Sequence, residues 1–132
     1  MDDIWFAVPG DLAAPTGGYA YARRVLAELS ALGIRAQVLP LSAEFPHPSA
    51  VALDDCARRL RELAPGSTVL FDGLAYGAIP AGLLDALDLD IVVLVHHPLA
   101  LETGLDPARA AELEATEIAA LARARAVICT SA

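Results

Sequence analysis

The amino-acid sequence predicts an α/β domain in which helices cover both faces of a parallel β-sheet. Five short apolar runs rich in β-branched residues recur along the chain, separated by segments with helical periodicity. The runs are nearly continuous rather than alternating, which is typical of strands covered on both faces. At 132 residues the chain has the length of one domain, and a domain of that size can bury roughly two-thirds of its unfolded surface.

The predicted strands are residues 4–8, 35–39, 68–71, 91–95 and 126–130. Strands that alternate with helices form βαβ units, and the right-handed crossovers of these units favour a strand order of about 3-2-1-4-5. The predicted fold class is therefore a Rossmann-like three-layer α/β/α sandwich.

Four predicted helices fill the intervals, at residues 19–32, 50–63, 79–87 and 107–125. In the first, an apolar stripe that ends at Leu32 predicts the buried face, and Gly33 ends the helix. Asp106 as the N-cap with Pro107 behind it is a strong start signal for the last helix. Residues 40–49 contain three prolines and are predicted to form an exposed loop.

The charge balance is acidic and argues against nucleic acid as a partner. The formal net charge is −8, with 17 acidic residues against 9 basic ones, and the basic residues are all arginines. Nucleic-acid binding depends on a basic surface that neutralises phosphates, and the sequence contains no such cluster.

Cys56 and Cys129 lie in apolar helix and strand positions, which predicts two buried free thiols. The chain opens on Met1, Asp2 and Asp3 rather than on a charged and then apolar leader. Because no apolar run approaches the ~20 residues of a membrane span, a cytoplasmic protein without a membrane span is expected.

Polar or glycine-rich groups follow four of the five predicted strands. They are residues 9–11 and 16–19 after the first strand, 72–73 after the third, 96–98 after the fourth and 130–131 after the fifth. In an open parallel sheet, ligands bind beyond the carboxyl ends of the strands. The sequence therefore predicts one ligand-binding edge.

The segment Thr16, Gly17, Gly18 and Tyr19 leads directly into the first helix. Glycines let the backbone approach a ligand, and a helix N-terminus offers free N–H groups, so this turn suits a phosphate or a developing anion. It is not the dinucleotide-binding fingerprint, because G-x-G-x-x-G is absent and no acidic residue ends the second strand. A flexible loop without a ligand is the alternative.

His96 and His97 follow the fourth strand without a spacer. Adjacent residues of an extended chain point to opposite sides, so these histidines are a poor pair for one metal ion, and we expect neither metal nor cofactor. At least one imidazole is expected to face the crevice, where it would contact a sugar or a phosphate. A purely structural histidine is the alternative, and His47, between two prolines, is assigned no role.

Four further polar residues are candidates. Asp72 either binds a ligand or caps the segment that follows it. Glu102 either reaches the crevice or is solvated, and Glu117 either pairs with an arginine or accepts a hydrogen bond from the backbone at the crevice floor. Ser131 either contacts a ligand or caps a helix. A Ser-His-Asp hydrolase is disfavoured because no G-x-S-x-G motif is present.

Three segments resemble the N-terminal domain of GT-B fold glycosyltransferases of family 4, which use nucleotide sugars and retain the anomeric configuration. They are the T-G-G-Y turn at 16–19, the V-H-H-P-L-A-L-E segment at 95–102, and the A-V-I-C-T-S segment at 126–131 after a long helix containing Glu117. The resemblance spans nearly all 132 residues.

The resemblance implies that residues 1–132 are the acceptor-side half of a two-domain hexosyltransferase whose donor-binding C-terminal domain is absent from this chain. By this likeness His96, and with it His97, would be catalytic. Substrate or diphosphate binding would fall to Thr16, Gly17, Gly18, Tyr19, Asp72, Glu102 and Ser131. The partners would be a nucleotide sugar, an acceptor that is a sugar, a lipid or a small molecule, and the missing domain.

The family's paired-glutamate donor motif and its diphosphate-holding Arg/Lys pair have no counterpart in this sequence, so the chain alone is expected to be inactive. Two other functions remain open. One is a stand-alone, flavodoxin-like ligand-binding module, and the other is half of a nucleotide-sugar epimerase.

Overall fold

The structure of the protein is a computed structural model that describes residues 3–10 and 17–129, with residues 17–21 described as backbone only. Its strands are β1 (Asp3–Pro9), β2 (Arg35–Leu41), β3 (Ser67–Asp72), β4 (Leu89–Val95) and β5 (Ala126–Cys129). Its helices are α1 (Gly17–Ala31), α2 (Ala50–Arg61), α3 (Gly73–Tyr76), α4 (Ala81–Asp85) and α5 (Pro107–Leu121), with a 3₁₀ helix at Leu99–Leu101.

All five strands are parallel and form one sheet in the order β2-β1-β3-β4-β5. The predicted fold class, an α/β sandwich with helices around a parallel sheet, is confirmed. The order is close to the predicted 3-2-1-4-5 and differs in the place of β3, which lies between β1 and β4 rather than outside β2.

The sequence of β2 explains this correction. Arg35 and Gln37 of β2 are exposed, and Pro40, which pairs with Val8, has no N–H to donate to a second neighbour. Such a strand suits the edge of a sheet. Right-handed crossovers allow the next strand to lie on either side of β1, so the handedness rule alone could not exclude the observed order.

The core lies on both faces of the sheet and follows the two-residue period of the strands. On one face Phe6, Val8 and Leu70 pack with α1, and on the other Ala7 and Phe71 belong to a larger cluster with residues of α2, α3 and α5. The apolar stripe predicted for the first helix does not extend to Leu32, which is 76% exposed.

The loop before α2 and the two cysteines require corrections. Residues 40–49 are not an exposed loop throughout, because Phe45 is 4% exposed and belongs to the core. Cys56 is buried, and burial raises the pKa of its thiol to about 12. Cys129 is exposed, contrary to the prediction, because it lies on the edge strand β5, all of whose residues are exposed.

The predicted third helix is divided into two short ones. Pro80 precedes α4 as its N-cap, while α3 begins earlier, directly after β3. The Tyr76 hydroxyl donates to the Ala120 carbonyl at 2.5 Å and ties α3 to α5. The predicted start of the last helix is confirmed, with Asp106 accepting from the Arg109 N–H at 2.8 Å.

Across the described residues, 3–10 and 17–129, no helix combines the length and the apolar character needed to cross a membrane.

Candidate functional site

A cleft of about 200 Å³ opens where β3 and β4 end. It is lined by Asp72, Leu74, His96, His97 and Leu99. β3 and β4 pair in parallel, with Asp72 opposite Leu94, so both strands deliver their carboxyl ends to the same edge. The location matches the edge at which open parallel sheets bind ligands.

Asp72 is the last residue of β3 and the N-cap of α3. Its Oδ1 accepts a hydrogen bond from the Leu74 N–H at 2.9 Å, so the capping role predicted as one alternative is confirmed. The residue also lines the cleft. Burial raises the pKa of this carboxyl, while the Leu74 N–H and the nearby His96 act in the opposite direction.

Gly73 lets the start of α3 approach β4 closely. A Cβ atom at this position would lie 2.6 Å from the Leu94 carbonyl oxygen and 3.3 Å from the Val95 Cα atom. Both of these are backbone atoms, which cannot move aside as a flexible side chain can. A side chain at Gly73 would therefore push apart the start of α3, beside Asp72, and the end of β4, beside the histidines.

His96 and His97 both line the cleft, so the expectation that at least one of them faces it is confirmed. The expectation that they point to opposite sides assumed an extended backbone. β4 instead ends at Val95, and both histidines lie in a bend before Pro98. The strict alternation of strand side chains does not apply there. His96 is half-buried and His97 is exposed.

Glu117 on α5 is buried and lies behind the histidine segment. Its Oε1 accepts from the Leu99 N–H at 3.2 Å, so of the two predicted alternatives, an arginine partner or a backbone partner, the structure has the backbone one. Burial raises the pKa of Glu117, and the Leu99 hydrogen bond and the nearby His97 lower it.

Glu102 lies outside the cleft lining and faces a different histidine. Its Oε2 is 3.6 Å from Nε2 of His47, beyond hydrogen-bond distance. Arg109 Nε donates to His47 Nδ1 at 3.1 Å, and Arg109 Nη2 donates to the Pro46 carbonyl at 3.0 Å. His47, assigned no role from the sequence, thus belongs to the contacts between the 42–49 loop and α5.

The remaining predicted residues belong to the start of α1 and to the chain terminus. Gly17, Gly18 and Tyr19 form the first turn of α1, which follows β1 along the chain. Thr16 and Ser131 lie outside the described residues. The structure thus brings together Asp72, His96 and His97 of the predicted set.

Sequence reasoning missed the apolar part of the cleft. Leu74 and Leu99 line it, and each follows a predicted polar residue by two positions, Asp72 and His97 respectively. The only available signal was that both lie in short segments directly after strand ends. Within ranges 3–10 and 17–129, no group of three or more histidine, cysteine or acidic side chains is arranged to hold a metal ion.

Two carboxyl groups, the half-buried Asp72 and the buried Glu117, predict a pH dependence of stability. Asp72 and Glu117 have raised pKa values in the folded protein, so they bind protons more tightly there than in the unfolded chain, where ordinary values of 3.8 and 4.5 apply. Their contribution to the free energy of unfolding is therefore greatest below those ordinary values. It is lost as pH rises through the folded-state pKa values.

The measurement compares the wild-type protein with the double variant Asp72→Asn/Glu117→Gln by urea denaturation between about pH 4 and pH 7. Asn retains the capping ability and Gln retains an acceptor. We expect the wild type to lose stability relative to the double variant as pH rises. A difference that is constant with pH, or that runs the other way, would contradict the burial of these charges.

Neither a comparison with known protein families nor a search of curated proteins finds a match to this chain.

Proposed function

We propose that this chain is the acceptor-side half of a retaining glycosyltransferase, and that the cleft receives the sugar carried by a nucleotide-sugar donor. The observation that carries the proposal is that His96 and His97 line one cleft with Asp72, at the carboxyl ends of β3 and β4. The same histidines lie in the segment whose sequence resembles family 4 glycosyltransferases. The parallel sheet supplies the fold that such a half-enzyme needs.

The lining suits a neutral, hydroxyl-rich ring. Leu74 and Leu99 offer apolar surface to the C–H groups of a sugar, and imidazoles both donate to and accept from hydroxyls. The Asp72 carboxylate would accept hydroxyl hydrogens but would repel a phosphate. No arginine lies among the described lining residues, so we assign diphosphate binding to the turn at 16–19 and to a second domain.

The proposed reaction proceeds through an oxocarbenium-like transition state on one face of the sugar. One carboxylate oxygen of Asp72 already accepts the hydrogen bond that caps α3. We therefore do not assign Asp72 the role of a nucleophile. His96 and His97 would act as preorganised polar contacts that strengthen as charge develops, and the leaving diphosphate would be stabilised electrostatically. The acceptor class, whether a sugar, a lipid or a small molecule, is left open.

One observation favours a second candidate, a ligand-binding module without catalysis. The order β2-β1-β3-β4-β5 is that of flavodoxin-like folds, in which a ligand binds at the switch point between β1 and β3. In this chain that point lies at the carboxyl ends of β1 and β3, at Gly10 and Asp72, rather than at the histidines. Because fold order alone does not determine function, the position of the bound ligand separates the two candidates.

The experiment follows the imidazole C–H resonances of the chain by NMR during titration with UDP-glucose, GDP-mannose, the free sugars and FMN. The three histidines provide an internal control, since His96 and His97 line the cleft and His47 contacts Arg109 elsewhere. We expect the sugars and nucleotide sugars to move His96 and His97, with weak affinity, and to leave His47 unchanged. We also expect the chain alone to release no nucleoside diphosphate.

Three outcomes would contradict the proposal. If no sugar or nucleotide sugar shifts the resonances of His96 and His97, the cleft does not bind the sugar. Micromolar binding of a nucleotide sugar by this chain alone would contradict the need for a second domain. Tight binding of FMN that leaves His96 and His97 unchanged would favour the flavodoxin-like module.

A further inference from the structure

We propose that Glu117 is the positioning residue of the cleft, which holds the segment carrying His96 and His97 against α3 and α5. The inference concerns how the cleft is built. It rests on the proposed function only in one respect, the identity of the ligand that the cleft binds.

Among the described residues Glu117 is the only charged residue that is buried, with 8% of its surface exposed. Burial of an ionised carboxylate costs free energy unless its oxygens are hydrogen-bonded, and a well-packed apolar side chain of similar volume often gives equal or greater stability. Stability alone therefore explains this glutamate poorly. Its contacts suggest what it does instead.

The first contact is with the 3₁₀ helix that follows the histidines. This helix starts after Pro98, which provides no side-chain cap. The Leu99 N–H, at the first helical position, has no intrahelical acceptor, and Glu117 provides one from another element through its Oε1 at 3.2 Å. Leu99 itself lines the cleft, and Pro98 directly follows His97. The hydrogen bond thus anchors the chain two residues beyond the second histidine.

The second contact is with α3, which begins at the Asp72 wall of the cleft. A Cβ atom at Gly77 would lie 3.0 Å from Glu117 Oε2 and 2.8 Å from Leu99 Cδ1. The bare backbone at Gly77 therefore makes room for the carboxylate and for the leucine that it holds. Glu117 lies against both segments that form the walls of the cleft.

Glu117 also lies close enough to His97 to interact with it electrostatically. Burial raises the pKa of Glu117 against the effects of the Leu99 N–H and His97. Tyr76 ties α3 to the following turn of α5 through the Ala120 carbonyl. Two hydrogen bonds, one accepted by the Glu117 side chain and one by the Ala120 carbonyl, therefore join successive turns of α5 to the segments that form the cleft.

The test compares Glu117→Ala and Glu117→Gln in the ligand-free chain by NMR. The readouts are hydrogen exchange at the Leu99 N–H and the imidazole resonances of His96 and His97. In Glu117→Ala we expect Leu99 exchange to accelerate at least about tenfold and both cleft histidines to shift, because a charge-assisted hydrogen bond is lost. Glu117→Gln retains the acceptor, so it should restore Leu99 protection and most of the histidine positions.

Two control variants separate positioning from general effects of substitution on α5. Glu114→Gln makes the same chemical change as Glu117→Gln at an exposed site on the same helix and should alter none of the readouts. Arg123→Ala, two residues after the end of α5, removes the 2.9 Å ion pair with Asp85 of α4. It should lower stability without shifting His96 or His97.

Histidine resonances that stay at their wild-type positions in a folded Glu117→Ala variant would overturn the inference. So would a Glu117→Gln variant that shifts them as far as the alanine does. If Glu117→Ala does not fold, Gly77→Ala applies the same test from the other side, because its methyl group displaces Glu117 and Leu99 and should shift the same two histidines. Unchanged histidines in Gly77→Ala would then reject the proposal.

All these readouts are made without a ligand, so they separate this inference from the proposed function. If the histidines move as expected and no sugar binds, Glu117 still positions the cleft, and the proposed function fails. If sugars bind at His96 and His97 but Glu117→Ala leaves both unchanged, the function stands and the positioning role is wrong. The UDP-glucose affinity of Glu117→Ala, expected to fall about tenfold, links the two.

Discussion

Under the proposed function, His96→Ala in a two-domain transferase that contains this chain is expected to lower turnover about a hundredfold, because it would remove a preorganised contact to a sugar whose charge develops in the transition state. The same substitution should cost only about 1 kcal/mol of folding free energy, since the half-buried imidazole leaves a small cavity. Turnover and the midpoint of chemical denaturation, measured on the same preparation, check the two expectations together.

His97→Ala is the companion variant, and the structure changes what it should do. An extended chain would place His97 away from the crevice, so that its loss would reduce stability more than rate. Because His97 lines the cleft and is exposed, its removal should instead reduce turnover at little cost in stability.

His47→Ala is the matched control. It removes a histidine that contacts Arg109 and lies outside the cleft, so turnover should be unchanged. Normal turnover in both His96→Ala and His97→Ala would show that neither histidine takes part in the reaction. A strong loss in His97→Ala alone would assign the sugar contact to His97.

Gly73→Ala is expected to have the largest effect on the fold, with a loss of about 3 kcal/mol in the free energy of unfolding. Its methyl carbon would lie 2.6 Å from the Leu94 carbonyl oxygen, and the obstructing atoms belong to the backbone of β4. Either α3 or the end of β4 must move, and both carry walls of the cleft. We therefore expect a lower urea midpoint and shifted resonances of His96.

Gly82→Ala is the matched control for Gly73→Ala, because an added Cβ atom at Gly82 meets nothing within 4 Å. Gly82 lies within α4, where alanine is preferred over glycine, so this variant should gain about 0.5–1 kcal/mol. A Gly73→Ala variant as stable as Gly82→Ala would mean that α3 and β4 do not approach as closely as described.

Local patterns in the sequence were enough to predict the class of the fold and most of its elements. Continuous apolar runs predict strands covered on both faces, and four helix segments with caps such as Asp106 predict the layers around them. The polar groups after the strands predict the edge at which the cleft lies, because parallel strands deliver their carboxyl ends to one side. These features depend on residues close together in the chain.

The neighbours of each strand and the contents of the cleft depend on residues far apart in the chain. Handedness permits β3 on either side of β1, and long-range packing places it inside, leaving β2 with Pro40 at the edge. The bend after Val95 brings both histidines into one cleft, against the alternation expected of an extended chain.

The partner of Glu117 also required the tertiary structure. A buried glutamate on a predicted helix needs a hydrogen-bond donor or a cation as its partner. Composition and periodicity do not identify that partner. The Leu99 N–H lies 18 residues away along the chain and has no intrahelical acceptor, because Leu99 is the first residue of the 3₁₀ helix. The sequence by itself determined which elements form and which edge carries polar groups. Only the packing of α5 against the 3₁₀ helix and Gly77 decided which groups meet there, because hydrogen-bond partners are set by distance in space.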